Sequence, residues 1–343
     1  MATSAGKVAT AAWRRAPLSR ILERHALLCS VPKRSCNTLF VKSQQKSFSG
    51  FELLFLGTSA GSPSVRRNPT GVCLRLARSN WMFDCAEGSL RQLMKSTVRV
   101  PLTTKFFISH LHGDHLYGLP GILCTLDNHN AEYKDPVTKE NAARRIDVYG
   151  PLGLFSYLNT AFSTCSTRLT NLQVTVHELV NSDLLSEMTV YEKFMRNAPV
   201  HPSLTREWIH AQSDGNGDVT GPKALGRKVA ILGDSADSSR MFDIAQNCDI
   251  LVHEATLSHR MVKQAVHRGH STARMAGYAA KKMNAKILAL THFSHRFRHW
   301  SVDAGNCRTT LHLALEAQES FGKRAVVPAS DFLRIPVPRP PHE

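Results

Sequence analysis

Three histidines and one aspartate lie within six residues, at His110, His112, Asp114 and His115. Imidazole nitrogens and carboxylate oxygens are ligands that suit Zn²⁺ and similar divalent ions. Side chains alternate in direction along an extended segment, so His110 and His112 point the same way and can chelate one ion. Gly113 allows a tight turn, which leaves Asp114 and His115 free to face a second ion. This spacing predicts a metal site.

The apolar run 106–108 directly before these residues predicts a buried strand that ends at the metal segment. Further strands are predicted at 51–56, 71–76, 81–83, 146–149, 172–179, 228–232, 249–252 and 287–290 and in a segment that ends at His201, with helices from 90, at 154–162, at 261–266 and after 272. Polar, ligand-type residues recur at the carboxyl ends of these strands: Asp84, His201, Asp234, Glu254 and His292. We expect a layered α/β sheet with the site at their common edge.

The chain has 343 residues and a net charge of +16, and half of that charge lies in residues 1–50, which hold nine basic residues and one acid. This segment is rich in Ser, Ala and Arg, and Leu18, Ile21 and Leu22 lie opposite Arg20 and Arg24 in a helical register. It has the character of an organellar transit peptide, mitochondrial rather than chloroplast, although a basic tail that binds nucleic acid is the alternative. We predict one folded domain over 51–335 and a Pro-rich tail over 336–343.

No apolar run is long enough to span a membrane, so we expect a soluble protein without a membrane partner. The eight cysteines form no C-x-x-C pair, which argues against a disulfide framework and against a thiolate zinc site. The remaining charge of +8 suits a polyanionic substrate, but a basic surface without such a partner explains it equally well.

The order of the motifs closely resembles tRNase Z, the tRNA 3′-processing endonuclease of the metallo-β-lactamase superfamily. The motifs are FLGTSAG at 55–61, FDCAEGS at 83–89, SHLHGDH at 109–115, GLPG at 118–121, YGP at 149–151, GDS at 233–235, HEAT at 253–256, HST at 270–272 and THFSHRF at 291–297. The match covers about residues 51–300. H-x-H-x-D-H alone marks the superfamily, whereas its combination with HEAT and HST is specific to this branch.

The resemblance implies an α/β protein with an αββα sandwich, two mixed sheets with outer helices. It implies that His110, His112 and His201 hold one ion, that Asp114, His115 and His292 hold the other, and that Asp234 bridges them. The ions would be two Zn²⁺, with Mn²⁺ or Mg²⁺ as alternatives. The substrate implied is precursor tRNA, from which the 3′ trailer is removed by phosphodiester hydrolysis, and we expect a homodimer.

Two ions suit this reaction because they can activate a water and stabilise both the attacking and the leaving oxygen. Asp114 is the expected general base. His270, before a helix and held by Glu254, is the expected proton donor to the leaving 3′ oxygen, although His270 and Glu254 could instead form a structural polar pair. The residues expected to contact phosphates are Ser89, Arg66, Arg67 and Arg296.

Three departures from the family pattern bear on the site. His201 directly follows Val200, one residue earlier than is usual, so His210 is an alternative ligand. Only 32 residues separate His201 from Asp234, which predicts a truncated or missing tRNA-clamping arm. Val65 stands where the family usually has a basic residue, and this substitution bears on how the protein would discriminate a mature CCA end.

Two other functions fit the same residues. One is a hydrolase of a small ester or thioester, and the basic surface together with the HEAT and HST motifs counts against it. The other is a catalytically silent RNA-binding subunit, and the complete ligand set counts against it.

Overall fold

The computed structural model describes residues 48, 50–131, 134, 142–180, 199–210, 226–299, 308–323 and 325–337. The predicted transit segment lies outside these residues except for Phe48 and Gly50, and so does the C-terminal tail beyond Val337. Most of the polar segment 132–141 and the segment that follows His210 also lie outside them. Within the described residues, no helix has the length and apolar character that a membrane crossing requires.

The larger sheet has eight described strands. They are β1 (Phe51–Gly57), β2 (Gly71–Leu76), β3 (Asn80–Phe83), β4 (Thr103–Phe107), β5 (Arg144–Pro151), β6 (Leu172–Val180), β7 (Leu204–His210) and β12 (Arg334–Pro336). Their order is β12-β1-β2-β3-β4-β5-β6-β7. Pairing is antiparallel from β12 to β3 and parallel from β3 to β7, so this sheet is mixed.

The smaller sheet has four described strands in the order β11-β10-β9-β8. These are β8 (Val229–Ile231), β9 (Ile250–Glu254), β10 (Ile287–Thr291) and β11 (Val326–Pro328). All three pairings between the described strands of this sheet are parallel, whereas the larger sheet is mixed. Short apolar runs such as Ile250–Val252 are typical of strands covered on both faces.

Seven α-helices are described: α1 (Ser89–Lys95), α2 (Gly113–Leu116), α3 (Leu119–His129), α4 (Leu154–Thr164), α5 (Val262–His267), α6 (Ala273–Lys282) and α7 (Thr310–Phe321). Side chains of α1, α3 and α4 pack on one face of the larger sheet, and those of α6 and α7 pack on the smaller sheet. Leu53 and Phe55 of β1 pack against Ile250 and Val252 of β9, which joins the two sheets face to face. The result is the αββα sandwich predicted from the sequence.

Two boundaries differ from the prediction. His201 does not end a strand: it lies three residues before β7, whose first residue pairs with Val174 near the amino end of β6. The apolar Pro-Val pair before His201 therefore belongs to a connection. At the C-terminus, β12 extends to Pro336, and Val337 N donates to Phe51 O, so the first two residues of the predicted tail lie at the edge of the sheet.

A candidate metal centre at the carboxyl edge

Polar side chains from both sheets meet where the parallel strands end. Asp84 follows β3, His110 to His115 follow β4 and begin α2, Asp234 follows β8, Glu254 ends β9, and His292 follows β10. Gly233 allows the loop after β8 to approach the larger sheet, because a Cβ there would lie 2.6 Å from the Ser109 Cβ. The two sheets thereby bring the predicted residues into one cluster.

One carboxylate orients two of the histidines. His115 Nδ1 lies 2.7 Å from Asp84 Oδ2. Because a carboxylate only accepts, Nδ1 carries the proton and Nε2 keeps its lone pair for a ligand. The Ser109 hydroxyl donates to the same Asp84 oxygen at 2.9 Å and lies 3.0 Å from His110 Nδ1. His110 is therefore oriented in the same way, with its Nε2 turned away from Asp84 and 2.9 Å from His112 Nδ1.

A second relay orients His292. Its Nδ1 lies 2.8 Å from Thr256 Oγ1, and that hydroxyl donates to Glu254 Oε2. The hydroxyl proton is committed to the carboxylate, so His292 Nδ1 is the donor and Nε2 is free. Glu254 is buried, and its other oxygen accepts Ser235 N at 2.7 Å, which fixes the residue after Asp234. Glu254 thus supports two candidate ligands.

Asp114 and Asp234 lie between the free imidazole nitrogens. Asp114 Oδ2 is 3.5 Å from His115 Nε2 and 3.4 Å from His292 Nε2, and it accepts Gly61 N at 2.7 Å. Asp234 lies 3.6 Å from His115 Nε2 and 3.3 Å from His292 Nε2. Three groups could hold an ion: His110 with His115 and Asp234, Asp114 with His115 and His292, and Asp234 with His270 and His292.

The carboxylates and imidazoles shift one another's pKa. Burial opposes charge on all of them, but the neighbouring carboxylates of Asp114, Asp234 and Asp84 outweigh it and raise the pKa of His115 to about 12. The same contacts lower the pKa of Asp114 far below its usual range and lower the pKa of Asp234 to about 2, again against burial. The site is therefore a place where a concentrated positive charge is stabilised.

The donor set fits divalent ions. His115 Nε2 and His270 Nδ1 are buried and have no hydrogen-bond partner within the described residues. A buried nitrogen without a partner costs free energy unless something else satisfies it. His115 Nε2 points between two carboxylates, which is the arrangement that a cation would complete. We conclude that this cluster can bind divalent metal.

His270 lies beside the cluster and is supported by Glu254. Its Nδ1 is 3.5 Å from Glu254 Oε2 and 3.4 Å from Asp234 Oδ2. The nearby Glu254 carboxylate is the largest influence, and it raises the pKa of His270 against the effect of burial. A raised pKa favours the protonated imidazole, which is the form that can act as a general acid.

The structure does not bring His201 to this cluster. Strands β4 to β7 run parallel, so the start of β7 lies at the edge opposite the site. His201 Nε2 lies 2.7 Å from Thr167 O, and its Nδ1 accepts Ser203 N. The topology therefore corrects the prediction that His201 is a metal ligand. His210 ends β7 at the correct edge, opposite Val180, but its side chain is outside the description.

His112 contacts one member of the cluster. Its Nδ1 lies 2.9 Å from His110 Nε2, although His112 belongs to none of the three groups.

The prediction of a truncated arm rested on the 32 residues between His201 and Asp234. Because His201 lies away from the site, this spacing no longer separates two site residues. Residues 211–225, where an arm would start, lie outside the described residues.

The predicted phosphate contacts divide into exposed and buried residues. Arg66 and Arg296 are exposed on the two loops beside the site. Arg67 is only 5% exposed, and its Nη2 donates to Phe297 O at 2.7 Å, so it holds the loops together instead of facing solvent. Ser89 is fully buried at the first turn of α1. Ser89 and Arg67 are therefore wrong as direct RNA contacts.

The sequence reasoning missed two supporting residues, Asp84 and Thr256. Asp84 was included only as a strand-end acid, although an Asp in FDCAEGS that precedes a predicted metal site is the kind of residue that orients ligand histidines. It adopts a φ of 56°, a left-handed conformation that Asp tolerates better than most residues. Thr256 gave no signal of its own, since only the fold places it between Glu254 and His292.

Comparison with known proteins identifies the family of this chain. Residues 80–293 match a family model described as a beta-lactamase superfamily domain. The chain is 34% identical to ribonuclease Z of Bacillus subtilis over 331 residues, which covers 84% of this chain and 99% of that protein. It is 31% identical to ribonuclease BN of Cronobacter sakazakii over 325 residues, which covers 83% of this chain and all of that protein.

A solved structure supports the same relationship. The crystal structure of human tRNase Z, short form, matches with a TM-score of 0.60 and 30% identity, and the match covers 84% of this chain and all of that one. Asp84, His110 to His115, Asp234, Glu254, His270 and His292 all lie within residues 80–293, the range that matches the family model. The chain belongs to the ribonuclease Z family of the β-lactamase superfamily.

Proposed function

We propose that this protein is an endoribonuclease that removes the 3′ trailer from precursor tRNA by phosphodiester hydrolysis. The observation that carries the proposal is the cluster around Asp234, in which the Nε2 atoms of His115 and His292 face the carboxylates of Asp114 and Asp234 while His110 and His270 lie beside them. Ribonuclease Z relatives and human tRNase Z, short form, are 30% to 34% identical to this chain over matches that cover 84% of it.

We propose that two Zn²⁺ ions occupy the site. Asp114, His115 and His292 would hold one ion, His110 and His112 would contribute to the other, and Asp234 would lie between them. Two bound metal ions would supply charge that lowers the pKa of a water and neutralises phosphate oxygens. Metal analysis of the purified protein should find two equivalents of zinc, and a single equivalent, or Mn²⁺ in its place, would correct this assignment.

The protein's own groups move the protons. Asp114 Oδ2 is committed to Gly61 N, whereas Oδ1 makes no hydrogen bond within the described residues and is free to take a proton from the attacking water. The water oxygen bonds to phosphorus as the bond from phosphorus to the 3′ oxygen breaks. His270 then gives its proton to that 3′ oxygen, which stays with the tRNA, while the phosphate stays with the trailer.

A cleavage assay tests the function. A precursor tRNA with a 3′ trailer should be cut after the discriminator nucleotide, and a chelator should stop the reaction. A panel of small esters and thioesters should give no comparable turnover. Turnover of such an ester, or tight tRNA binding without cleavage by the metal-loaded protein, would favour one of the two alternative functions.

Two further assignments concern assembly and location. We propose a homodimer, because the two-fold symmetric dimer is the commonest assembly of soluble proteins. Light scattering should give twice the mass of one chain.

We also propose mitochondrial import, which the basic, acid-poor segment 1–50 supports. A fluorescent reporter fused to residues 1–50 should enter mitochondria, and chloroplast or diffuse cytosolic signal would overturn that assignment.

A further inference from the structure

The positive charge of the hydrolase domain is concentrated next to the site. Residues 255–300 contain nine Lys and Arg residues and no Asp or Glu, whereas the rest of residues 51–343 has a net charge of −1. A stretch of 46 residues without one acid is unusual for a chain in which 20% of residues are charged. Such an uneven distribution indicates a specific anionic partner better than the total charge does.

Part of this charge forms a surface on and beside α5, which we call the α5 surface: Arg260, Lys263, His267 and Arg268. Arg260, Lys263 and His267 are three and four positions apart, so they lie on one side of the helical segment. All four side chains are exposed, and neither Arg260, Lys263 nor Arg268 forms an ion pair within the described residues. Glu316 Oε2 accepts a hydrogen bond from His259 N at 2.9 Å and, within the described residues, forms no ion pair with these three cations.

The backbone connects the α5 surface to His270. Gly269 has a φ of 75°, its N–H donates to Val266 O, and His270 N donates to Ala265 O at 2.9 Å. This pair of bonds is a Schellman C-cap, which fixes the residues after a helix relative to its last turn. The α5 surface therefore has a defined position beside His270.

We propose that the α5 surface binds the phosphate backbone of the tRNA acceptor stem. This inference rests on the proposed function, because it uses the role of His270. His270 gives its proton to the 3′ oxygen that stays with the tRNA, and in an in-line displacement the attacking water approaches from the opposite side. Positive charge fixed next to His270 therefore lies on the side of the tRNA body and not on that of the trailer.

The test compares two double variants that each remove two positive charges from residues 255–300. Arg260→Ala/Lys263→Ala changes the α5 surface. Lys281→Ala/Lys282→Ala changes exposed residues at the end of α6, which runs from Thr272 beside the site to the opposite edge of the sheet. Binding is measured from 50 to 200 mM salt with tRNA that ends at the discriminator nucleotide and with the free trailer oligonucleotide, neither of which is cleaved.

The α5 variant should bind the tRNA more weakly than the parent, with a salt slope that is smaller by about 2, so its loss of affinity should shrink by about tenfold between 50 and 200 mM salt. At 50 mM salt its half-saturating concentration for the precursor in single-turnover cleavage should rise by about tenfold or more, with no change in trailer binding. The α6 variant should behave like the parent protein. Equal losses in both variants, a loss confined to the trailer, or parental binding by the α5 variant would overturn the proposal.

The two proposals fail in different ways. If the parent protein does not cut precursor tRNA after the discriminator nucleotide, the proposed function is wrong. If the parent cuts correctly and the α5 variant cuts and binds like it, only the α5 surface is wrongly assigned. Metal content and thermal unfolding of both variants should match the parent, since the four replaced side chains are exposed.

Discussion

Asp84 and His115 are joined by a hydrogen bond of 2.7 Å between Oδ2 and Nδ1, and the same carboxylate reaches His110 through the Ser109 hydroxyl. One acid of the larger sheet therefore sets the ring orientation of two candidate ligands. Its own geometry is fixed by Ser109 N, which donates to the other carboxylate oxygen at 2.8 Å.

Asp84→Asn should lower metal affinity by about 10- to 100-fold, because the amide cannot accept all three of these hydrogen bonds. Competition with a chelator of known affinity measures the change. Asp237→Asn is the matched control, since Asp237 is an acid three residues from Asp234 whose carboxylate contacts only Ser239. Parental metal affinity in Asp84→Asn, or an equal loss in both variants, would contradict the orienting role.

Replacing His270 separates chemistry from metal binding. His270→Ala should retain the metal content of the parent and lose about 10²- to 10⁴-fold in kcat, with KM nearly unchanged, because the loss is that of a general acid. Single-turnover cleavage and metal analysis on the same sample provide the measurement. A parental rate, or a loss of rate in proportion to a loss of metal, would refute the proton-donor role.

Glu254→Gln should lower both the rate and the metal affinity. Glu254 accepts from Thr256 and from Ser235 N, so a change there reaches His292 and the loop of Asp234 as well as His270. Thr256→Val removes the hydroxyl between Glu254 and His292 but leaves the hydrogen bond from Ser235 N to Glu254, so it should lower metal affinity less than Glu254→Gln does. A rate defect in Glu254→Gln with full metal retention would mean that Glu254 acts on His270 alone.

The matched pair His201→Ala and His210→Ala tests the correction to the ligand set. His201→Ala should keep the metal content of the parent and lose about 1 kcal/mol of unfolding free energy, since its hydrogen bonds to Thr167 O and from Ser203 N are lost. His210→Ala should lower metal occupancy more than His201→Ala does. Loss of metal in His201→Ala would restore it as a ligand.

Arg66 and Arg67 are neighbours with opposite expected effects. Arg67→Ala should destabilise the protein by about 2 kcal/mol, because Phe297 O loses a buried donor. Arg66→Ala should leave stability within about 0.5 kcal/mol and reduce the salt slope of RNA binding by about 1. Chemical denaturation and binding titrations distinguish them. A smaller salt slope in Arg67→Ala, at unchanged stability, would return Arg67 to the RNA surface.

Asp331 gives a pH signature. Burial raises its pKa from 3.8 to about 6, although hydrogen bonds from Asn68 N and Thr58 Oγ1 oppose the shift. The folded state therefore binds the extra proton between these values, and this group's contribution to stability falls as pH rises through that window. The stability of the parent relative to Asp331→Asn should be about 2 kcal/mol greater at pH 4 than at pH 7. A constant difference would contradict the raised pKa.

The strands, the metal-binding segment and the family could be predicted from the sequence alone. Apolar runs such as 51–56 and 249–252 identify strands because both of their faces are buried, and the chemistry of His110 to His115 follows from residue type and spacing alone. The motif order then identifies the family. These inferences hold because each depends on residues that are close together in the chain.

Contacts between residues far apart in the chain could not be predicted and are seen only in the folded structure. His201 follows a Pro-Val pair that looks like a strand end. The position of a histidine relative to the site depends, however, on whether it precedes or follows β7. Charge alone suggested that both Arg66 and Arg67 face RNA, whereas the packing of two loops buries one of them. The relay from Glu254 through Thr256 to His292 joins β9 to β10, and spacing along the chain carries no information about which side chains two neighbouring strands bring together.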